Sequence, residues 1–293
     1  MSIEAWDEIR TAFHVARQGT VSGAAAELGV HHATVIRHID ALEARLGTKL
    51  FQRHARGYTP TEAGRDLLQV AQTTDDQFTQ LVGRLKGRGD TVTGELLITS
   101  LAVFSPLLVP AIASFQANHP EVVTRFLTAE RLFRLEYGEA HIAVRAGQPP
   151  EQLDNVVQHL FTNRTALFAS REYIEAHGMP EGDADLKKHM FIGPDEEDSR
   201  APFYKWMKER VPRSQVVFRT TDAGAVKHAI LEGVGLGFMP LWEAKENPDL
   251  VQVVETRTDW DSPLWLVTHV DLHRTVKVQA LLKHLKKSAQ DWG

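Results

Sequence analysis

The stretch Val21-Ser22-Gly23-Ala24-Ala25-Ala26-Glu27-Leu28-Gly29-Val30-His31-His32-Ala33-Thr34-Val35-Ile36-Arg37-His38-Ile39-Asp40-Ala41-Leu42 divides at Gly29 into two segments of helical character. The first is short and alanine-rich, so another helix can cross it closely, and Gly29 supplies the left-handed backbone that a tight turn requires. The second begins near His31 or His32. At about 100° per residue, Val35, Ile39, Leu42 and Leu46 share one arc that faces a core. The opposite arc holds Ala33, Arg37, Ala41 and Ala44, flanked by His32, Thr34 and Ile36.

A helix of this kind fits the major groove of DNA, where a guanidinium can donate two hydrogen bonds to guanine and small side chains can meet thymine methyls. Arg37 is the leading candidate for base reading. A plain helical hairpin with a solvated arginine is the alternative at this stage.

Working outward, Trp6, Ile9, Phe13 and Ala16 recur at helical spacing and predict an amphipathic helix stopping at Gly19. On the other side, Leu50 to Tyr58 reads as a short hairpin with Arg53 and Arg56 at its tip, the form of a wing, and both cations are expected on phosphate. Thr59-Pro60-Thr61-Glu62 then reads as a capping box, with Thr59 as N-cap, Pro60 at the first helical position and Glu62 at the third. In the long helix that follows, Leu67, Ala71, Thr74, Phe78, Leu81 and Leu85 alternate by four and three residues, the seam of a dimeric coiled coil. Packing of this stripe within the same chain is the other reading. Gly87-Arg88-Gly89-Asp90 ends the helix as a hinge.

Composition supports this picture. The 293 residues are 43% hydrophobic and 24% charged, which is globular. The formal net charge of -5 argues against a protein that coats nucleic acid indiscriminately. Cations nevertheless concentrate between Val30 and Pro60, as Arg37, Arg45, Lys49, Arg53 and Arg56, with His31, His32, His38 and His54 added against only Asp40 and Glu43. Cysteine is absent, which excludes disulfides, thiolate metal sites and thiol redox sensing. No run approaches the roughly 20 apolar residues of a membrane span, and Glu4, Asp7 and Glu8 stand where a signal peptide needs basic residues, so a cytoplasmic protein is expected.

The segment from Trp6 to Leu68 strongly resembles the LysR-type transcriptional regulators. The resemblance is carried by Phe13, Val15-Ala16, Gly19, Ser22, Ala24-Ala25-Ala26, Leu28, Val30, Arg37-His38-Ile39, Leu42-Glu43, Leu46-Gly47, Leu50-Phe51, Arg53 and Thr61-Glu62-Ala63-Gly64. Departures are His31-His32 where the family often opens this helix with a polar pair such as Ser-Gln, Ile36 where Ser or Thr is common, and Pro60 in place of a leucine. The resemblance implies a winged helix-turn-helix over 1–60, a linker and dimerisation helix with hinge over 61–90, and a two-lobed α/β effector domain of periplasmic-binding-protein-like fold over 91–293. The chain should cross between lobes near Asn163 and near Leu266, giving lobe I as 91–163 and 267–293 and lobe II as 164–266.

The DNA-facing set is then Ser22, His31, His32, Ala33, Thr34, Ile36 and Arg37, with Arg53 and Arg56 in the wing. Expected partners are a double-stranded operator with an imperfect inverted repeat, a small-molecule effector, further copies of the chain as a homodimer or, as the resemblance implies, a homotetramer, and RNA polymerase at the promoter.

After Gly94 apolar strand-like runs alternate with helical patterns, which predicts a mostly parallel sheet covered by helices. Ligands of such sheets bind beyond the carboxyl ends of strands. This points to Thr99, Ser100, Leu101, Thr128, Arg145, Thr221 and Phe238, and the hydroxyls with Arg145 suit a carboxylate-bearing effector. The alternative is that Thr99 and Ser100 cap the next helix and Arg145 forms a structural ion pair. Arg145 matches the arginine of a strand end typical of the family, while His141 stands where many members have aspartate.

No catalytic residue, metal or cofactor is assigned. Gly233-Val234-Gly235-Leu236-Gly237 precedes a strand rather than opening a helix, so it is no dinucleotide fingerprint, and hydrolase, metalloprotease and P-loop signatures are missing. Asp195-Glu196-Glu197-Asp198 reads as a solvated loop. A small-molecule-binding protein or an enzyme using the two-lobed cleft is the rival reading. The winged motif opposes it.

Overall fold

In the computed structural model, residues 5–54, 57–85, 92–129, 133, 135, 139–196, 199 and 201–292 are described. The amino-terminal domain packs α1 (Trp6–Gln18), α2 (Val21–Leu28) and α3 (His32–Leu46) around Ala12, Val15, Ala24, Val35, Ile39 and Leu42, all essentially inaccessible to solvent. Gly29, at φ 67°, makes the turn between α2 and α3. Thr20 caps α2 by accepting the Gly23 N–H at 3.1 Å. Leu46, expected on the core arc, is instead 47% exposed, because residues 44–49 form a last turn and exit that extend past the core.

The hairpin β1 (Phe51–His54) and β2 (Gly57–Pro60) is antiparallel, with Phe51 opposite Pro60 and His54 opposite Gly57. Helix α4 (Glu62–Leu85) follows. Its cap differs from the capping box expected of Thr59. Pro60 stays in the strand, and Thr61 is the capping residue, accepting the Gly64 N–H at 3.1 Å while its hydroxyl donates to the Lys49 carbonyl at 2.7 Å. Strand pairing to Phe51 holds the chain extended two residues longer than the local pattern suggests. Gly64 is required here by space: a Cβ would lie 2.0 Å from the Leu50 carbonyl oxygen.

The first lobe of the larger domain begins with β3 (Gly94–Ser100), α5 (Ser105–Asn118), β4 (Val122–Thr128), β5 (Ile142–Ala146) and β6 (Asn155–Asn163). The chain then enters the second lobe through β7 (Thr165–Ser170), α6 (Arg171–His177), α7 (Asp183–Leu186), β8 (Phe191–Pro194), α8 (Pro202–Arg210), β9 (Val216–Thr220), α9 (Ala223–Leu231), β10 (Gly237–Pro240), α10 (Leu241–Ala244) and β11 (Leu250–Gln252). It returns through β12 (Ser262–His269), α11 (Val270–His273) and α12 (Val276–Ser288).

Lobe I is a five-stranded sheet of order β4-β3-β5-β12-β6, covered in part by α5 and α12 over a core that includes Leu96, Ile98, Leu108, Phe115 and Leu281. Strands β4, β3, β5 and β6 run in one direction, and β12, antiparallel to both β5 and β6, is the reversed strand. The mostly parallel sheet expected from the sequence is present in this lobe apart from β12, which is reversed because a strand returning from the other lobe enters from the opposite end. The return also comes earlier than Leu266, since Ser262 already pairs with Asn163 while Trp260 is still buried in the lobe II core.

Lobe II holds the antiparallel set β10-β7-β11 and the parallel pair β8-β9, linked by a bridge between Phe191 and Leu236. Helix α9 lies on one side of these strands, with Val226 and Ile230 among Ala166, Ile192 and Met239. The other side carries Trp206 and Met207 of α8, packed with Leu167, Phe191, Phe238 and Trp260.

Candidate nucleic-acid interface and effector cleft

Burial of Val35, Ile39 and Leu42 turns the other side of α3 outward. His31, His32, Ala33 and Arg37 are exposed there, and Ser22 is exposed on the preceding helix. The His31 carbonyl accepts the Thr34 N–H at 2.9 Å, leaving its ring free of any capping duty. Thr34 is half-buried. Ile36, placed in the DNA-facing set, is half-buried and packs against the domain core. His38 is drawn to α1 instead, with its Nδ1 2.9 Å from the Thr11 hydroxyl.

The wing is held by a residue whose importance the charge count obscured. The Glu43 carboxylate is buried, accepting the backbone N–H groups of Leu50 and Phe51 on Oε1 at 2.9 and 3.2 Å, and Lys49 Nζ and Arg53 Nη2 on Oε2 at 2.6 and 3.0 Å. Burial pushes this carboxyl up, but the Lys49 ammonium and the two backbone donors outweigh it and hold it below the usual carboxylate range. Glu43 stands four residues after Ile39, on the edge of the buried stripe, and that position was the available signal.

Arg53 is correspondingly committed. Its guanidinium bonds to Asp40 as well as Glu43 and sits 5.3 Å from the centre of the Tyr58 ring. It builds the wing before it can meet a phosphate. Arg56 lies outside the described residues.

The seam assigned to α4 divides. Leu67 packs on the amino-terminal core, and Ala71 and Thr74 are half-buried. Phe78 meets Trp6 edge-on at 6.1 Å yet stays 52% exposed, and Leu81 is 40% exposed beside Val82 at 45%. The Leu85 side chain lies outside the described residues.

Of the effector candidates, Thr99 and Ser100 are buried at the end of β3, where Ser100 pairs in register with exposed Thr128 at the end of β4. Neither caps a helix: the following 3-10 turn, 102–104, has Leu101 at its start and no side-chain cap. The Ser100 hydroxyl is buried with no hydrogen-bond partner among the described residues. Leu101 packs on the lobe I core. Arg145 donates to the Phe133 carbonyl at 2.8 Å.

From lobe II, exposed Thr221 directly precedes Asp222, which caps α9 by accepting the Ala225 N–H at 2.7 Å, and α9 lies against the 102–104 turn of lobe I. The structure therefore brings Thr99, Ser100, Leu101 and Thr128 together at one edge and sets the helix after Thr221 against it. Phe238 does not join them. It is 5% exposed and surrounded by Phe203, Tyr204, Trp206 and Trp260, because β10 is covered on both faces.

Among the described residues, no cluster of His, Asp and Glu has the arrangement of a metal site, and no helix is long and apolar enough to cross a membrane.

Comparison with known families decides what this arrangement is. Residues 6–65 match the bacterial regulatory helix-turn-helix protein model of the lysR family, and residues 89–290 match the LysR substrate binding domain. The chain belongs to the LysR family. It is a LysR-type DNA-binding transcription regulator with an effector-binding domain. Among curated relatives, the HTH-type transcriptional regulator DmlR of Escherichia coli K12 is 26% identical over 289 residues, spanning 96% of this chain and 93% of its own.

The solved structure of CrgA, a LysR-type transcriptional regulator from Neisseria meningitidis, shares the fold at a TM-score of 0.61 with 22% identity, covering 97% of this chain and 99% of that one. Full-length LysG from Corynebacterium glutamicum, solved with bound effector Arg, superposes at a TM-score of 0.67 with 18% identity over 97% of this chain and 98% of its own. These likenesses support the LysR fold throughout the molecule, the two lobes included.

Proposed function

We propose that this LysR regulator reads an imperfect inverted repeat as a homodimer joined through α4, with a homotetramer as the assembled form, and that a carboxylate-bearing effector between the lobes alters its action with RNA polymerase in the cytoplasm. The observation that carries the DNA side is the exposed amino-terminal half of α3, where Arg37 forms no ion pair among the described residues and stands beside His32 and Ala33. Arg37 reads a guanine edge, and Ser22, His31, His32 and Thr34 position the helix on the backbone. Exposed Phe78 and Leu81 supply the dimer seam, since large apolar side chains in a row on one helix are costly to leave in water.

On the effector side, the buried hydroxyl of Ser100 supports the reading, because a buried polar atom without a partner is rare unless a ligand or water completes it. Thr128, Arg145 and Thr221 complete the polar set. An effector acts only through its difference in affinity between two arrangements of the subunits.

The test is operator binding by fluorescence anisotropy on the protein's own upstream region. Wild type should prefer it over scrambled DNA, and Arg37→Ala should lose most of that preference while keeping nonspecific binding. Equal discrimination by the two proteins removes Arg37 from the reading.

A further inference from the structure

Lobe II contains a cavity of ≈ 330 Å³ lined only by its own residues and separate from the cleft set of Ser100, Thr128, Arg145 and Thr221. It lies under α8, between that helix and β9. Its floor is apolar, from Met207, Val211 and Val216. Gly193 lets two of these floor residues pack closely on β8, since a Cβ there would stand 2.8 Å from Val216 and 2.9 Å from Met207.

Among the described residues, Lys205, Lys208, Arg213 and Arg219 also line it, with Glu196 as the acid. Lys205 is exposed and forms no ion pair among the described residues. Arg219 is held by donating to the Arg213 carbonyl at 3.3 Å, which leaves the rest of its planar donor fork for an oxygen pair. The Tyr204 phenol lines the same space with no hydrogen bond to a described residue, and burial pushes its pKa up to about 12, so it is a donor at any working pH.

We propose that this cavity is a second ligand site, distinct from the cleft between the lobes, for an amphipathic organic anion: an aryl or branched aliphatic carboxylate of metabolite size. The carboxylate would sit between Lys205 and Arg219 and accept from Tyr204, with its apolar body on Met207 and Val216. A cavity of this volume with an apolar floor and a few convergent polar groups is the ordinary form of a small-molecule site. The position also suits regulation. Val216 and Arg219 belong to β9, which leads through Thr221 into α9, the helix that touches lobe I.

The probe is 2-naphthoate, titrated calorimetrically into the full-length protein beside the neutral 2-naphthylmethanol. Naphthoate should bind and the alcohol should bind at least about tenfold more weakly, since a charge-assisted pair carries the difference. Lys205→Ala/Arg219→Gln should weaken naphthoate by at least about tenfold while leaving the thermal midpoint and operator affinity unchanged. Lys205→Glu alone serves if the double variant unfolds. Ser100→Val, a cleft change, should leave naphthoate affinity within about twofold.

Absence of naphthoate binding, equal binding of the alcohol, or unaltered affinity in the lobe II variants would each overturn the proposal. Loss in Ser100→Val with none in the lobe II variants would place the anion in the cleft instead. Operator binding is read separately, so failure here leaves the DNA assignment standing.

Discussion

Helix α3 and strand β10 both deliver side chains to a place where function is expected, and they behave oppositely. The first half of α3 has neighbours on one side only, so Arg37 reaches solvent while Val35 and Ile39 are buried. Strand β10 has helices on both faces, so Phe238 points into an aromatic cluster and Met239 into the packing of α9. A one-sided element sorts its residues into core and contact surface by its own period, whereas a two-sided one has no outward face to give.

The strongest way to break this contrast is at Phe238. Phe238→Ala should destabilise lobe II by about 3–5 kcal/mol, read by urea denaturation, through the cavity it leaves among Trp206, Trp260 and Tyr204. A loss of effector affinity without loss of stability would return Phe238 to the cleft and overturn the assignment.

Glu43 tests the other region, because there one buried charge sits on an otherwise one-sided helix. Glu43→Ala should cost roughly 3 kcal/mol, since it strands the N–H groups of Leu50 and Phe51, removes the carboxylate that Lys49 pairs with and leaves Arg53 only Asp40. The pH dependence has a definite sign. With its folded pKa below the ordinary carboxylate value, Glu43 contributes stability that is fully present above the unfolded pKa and is lost as pH falls through the folded one. Glu43→Gln should therefore shrink the gap to wild type on acidification below that window, and a constant gap from pH 7 to pH 3 would contradict it.

Arg37→Ala should leave stability unchanged and cost about 1–3 kcal/mol of discrimination at one base position, measured by competition between operator variants. A matching drop in the unfolding midpoint would show that Arg37 is structural. The smallest effect sharpens the boundary between wing and linker. Thr61→Ala should cost about 1 kcal/mol through the lost cap of α4, and Thr59→Ala less than about 0.5 kcal/mol. The reverse order would restore the capping box at Thr59.

Much of the amino-terminal domain was legible because its signals are local. Helical period, Gly19 and Gly29 as stops, and an outward arc around Arg37 all lie within windows of a few turns, and the side chains follow from them. Legibility failed where a distant partner intervened. Pro60 remained in a strand because Phe51 pairs with it, Arg53 turned toward Asp40 and Glu43, and Leu46 found nothing to pack on.

In the larger domain, the alternation of strands and helices could be read, but the direction of β12 and its entry at Ser262 depend on a return from the other lobe. The strand ends at Ser100 and Thr128 fell together because parallel pairing of neighbouring strands aligns their ends. Nothing in the spacing of Lys205, Val216 and Arg219 announces a cavity, which exists only once α8 lies across β8 and β9.

The sequence by itself determined the helix-turn-helix, the basic wing and the presence of an α/β sensor, because periodicity and turn chemistry are properties of neighbouring residues. Tertiary structure alone decided which cations are already paired, which strand ends converge and which aromatic residues are core, because each depends on groups brought close from far along the chain, whose mutual burial and charge no local window contains.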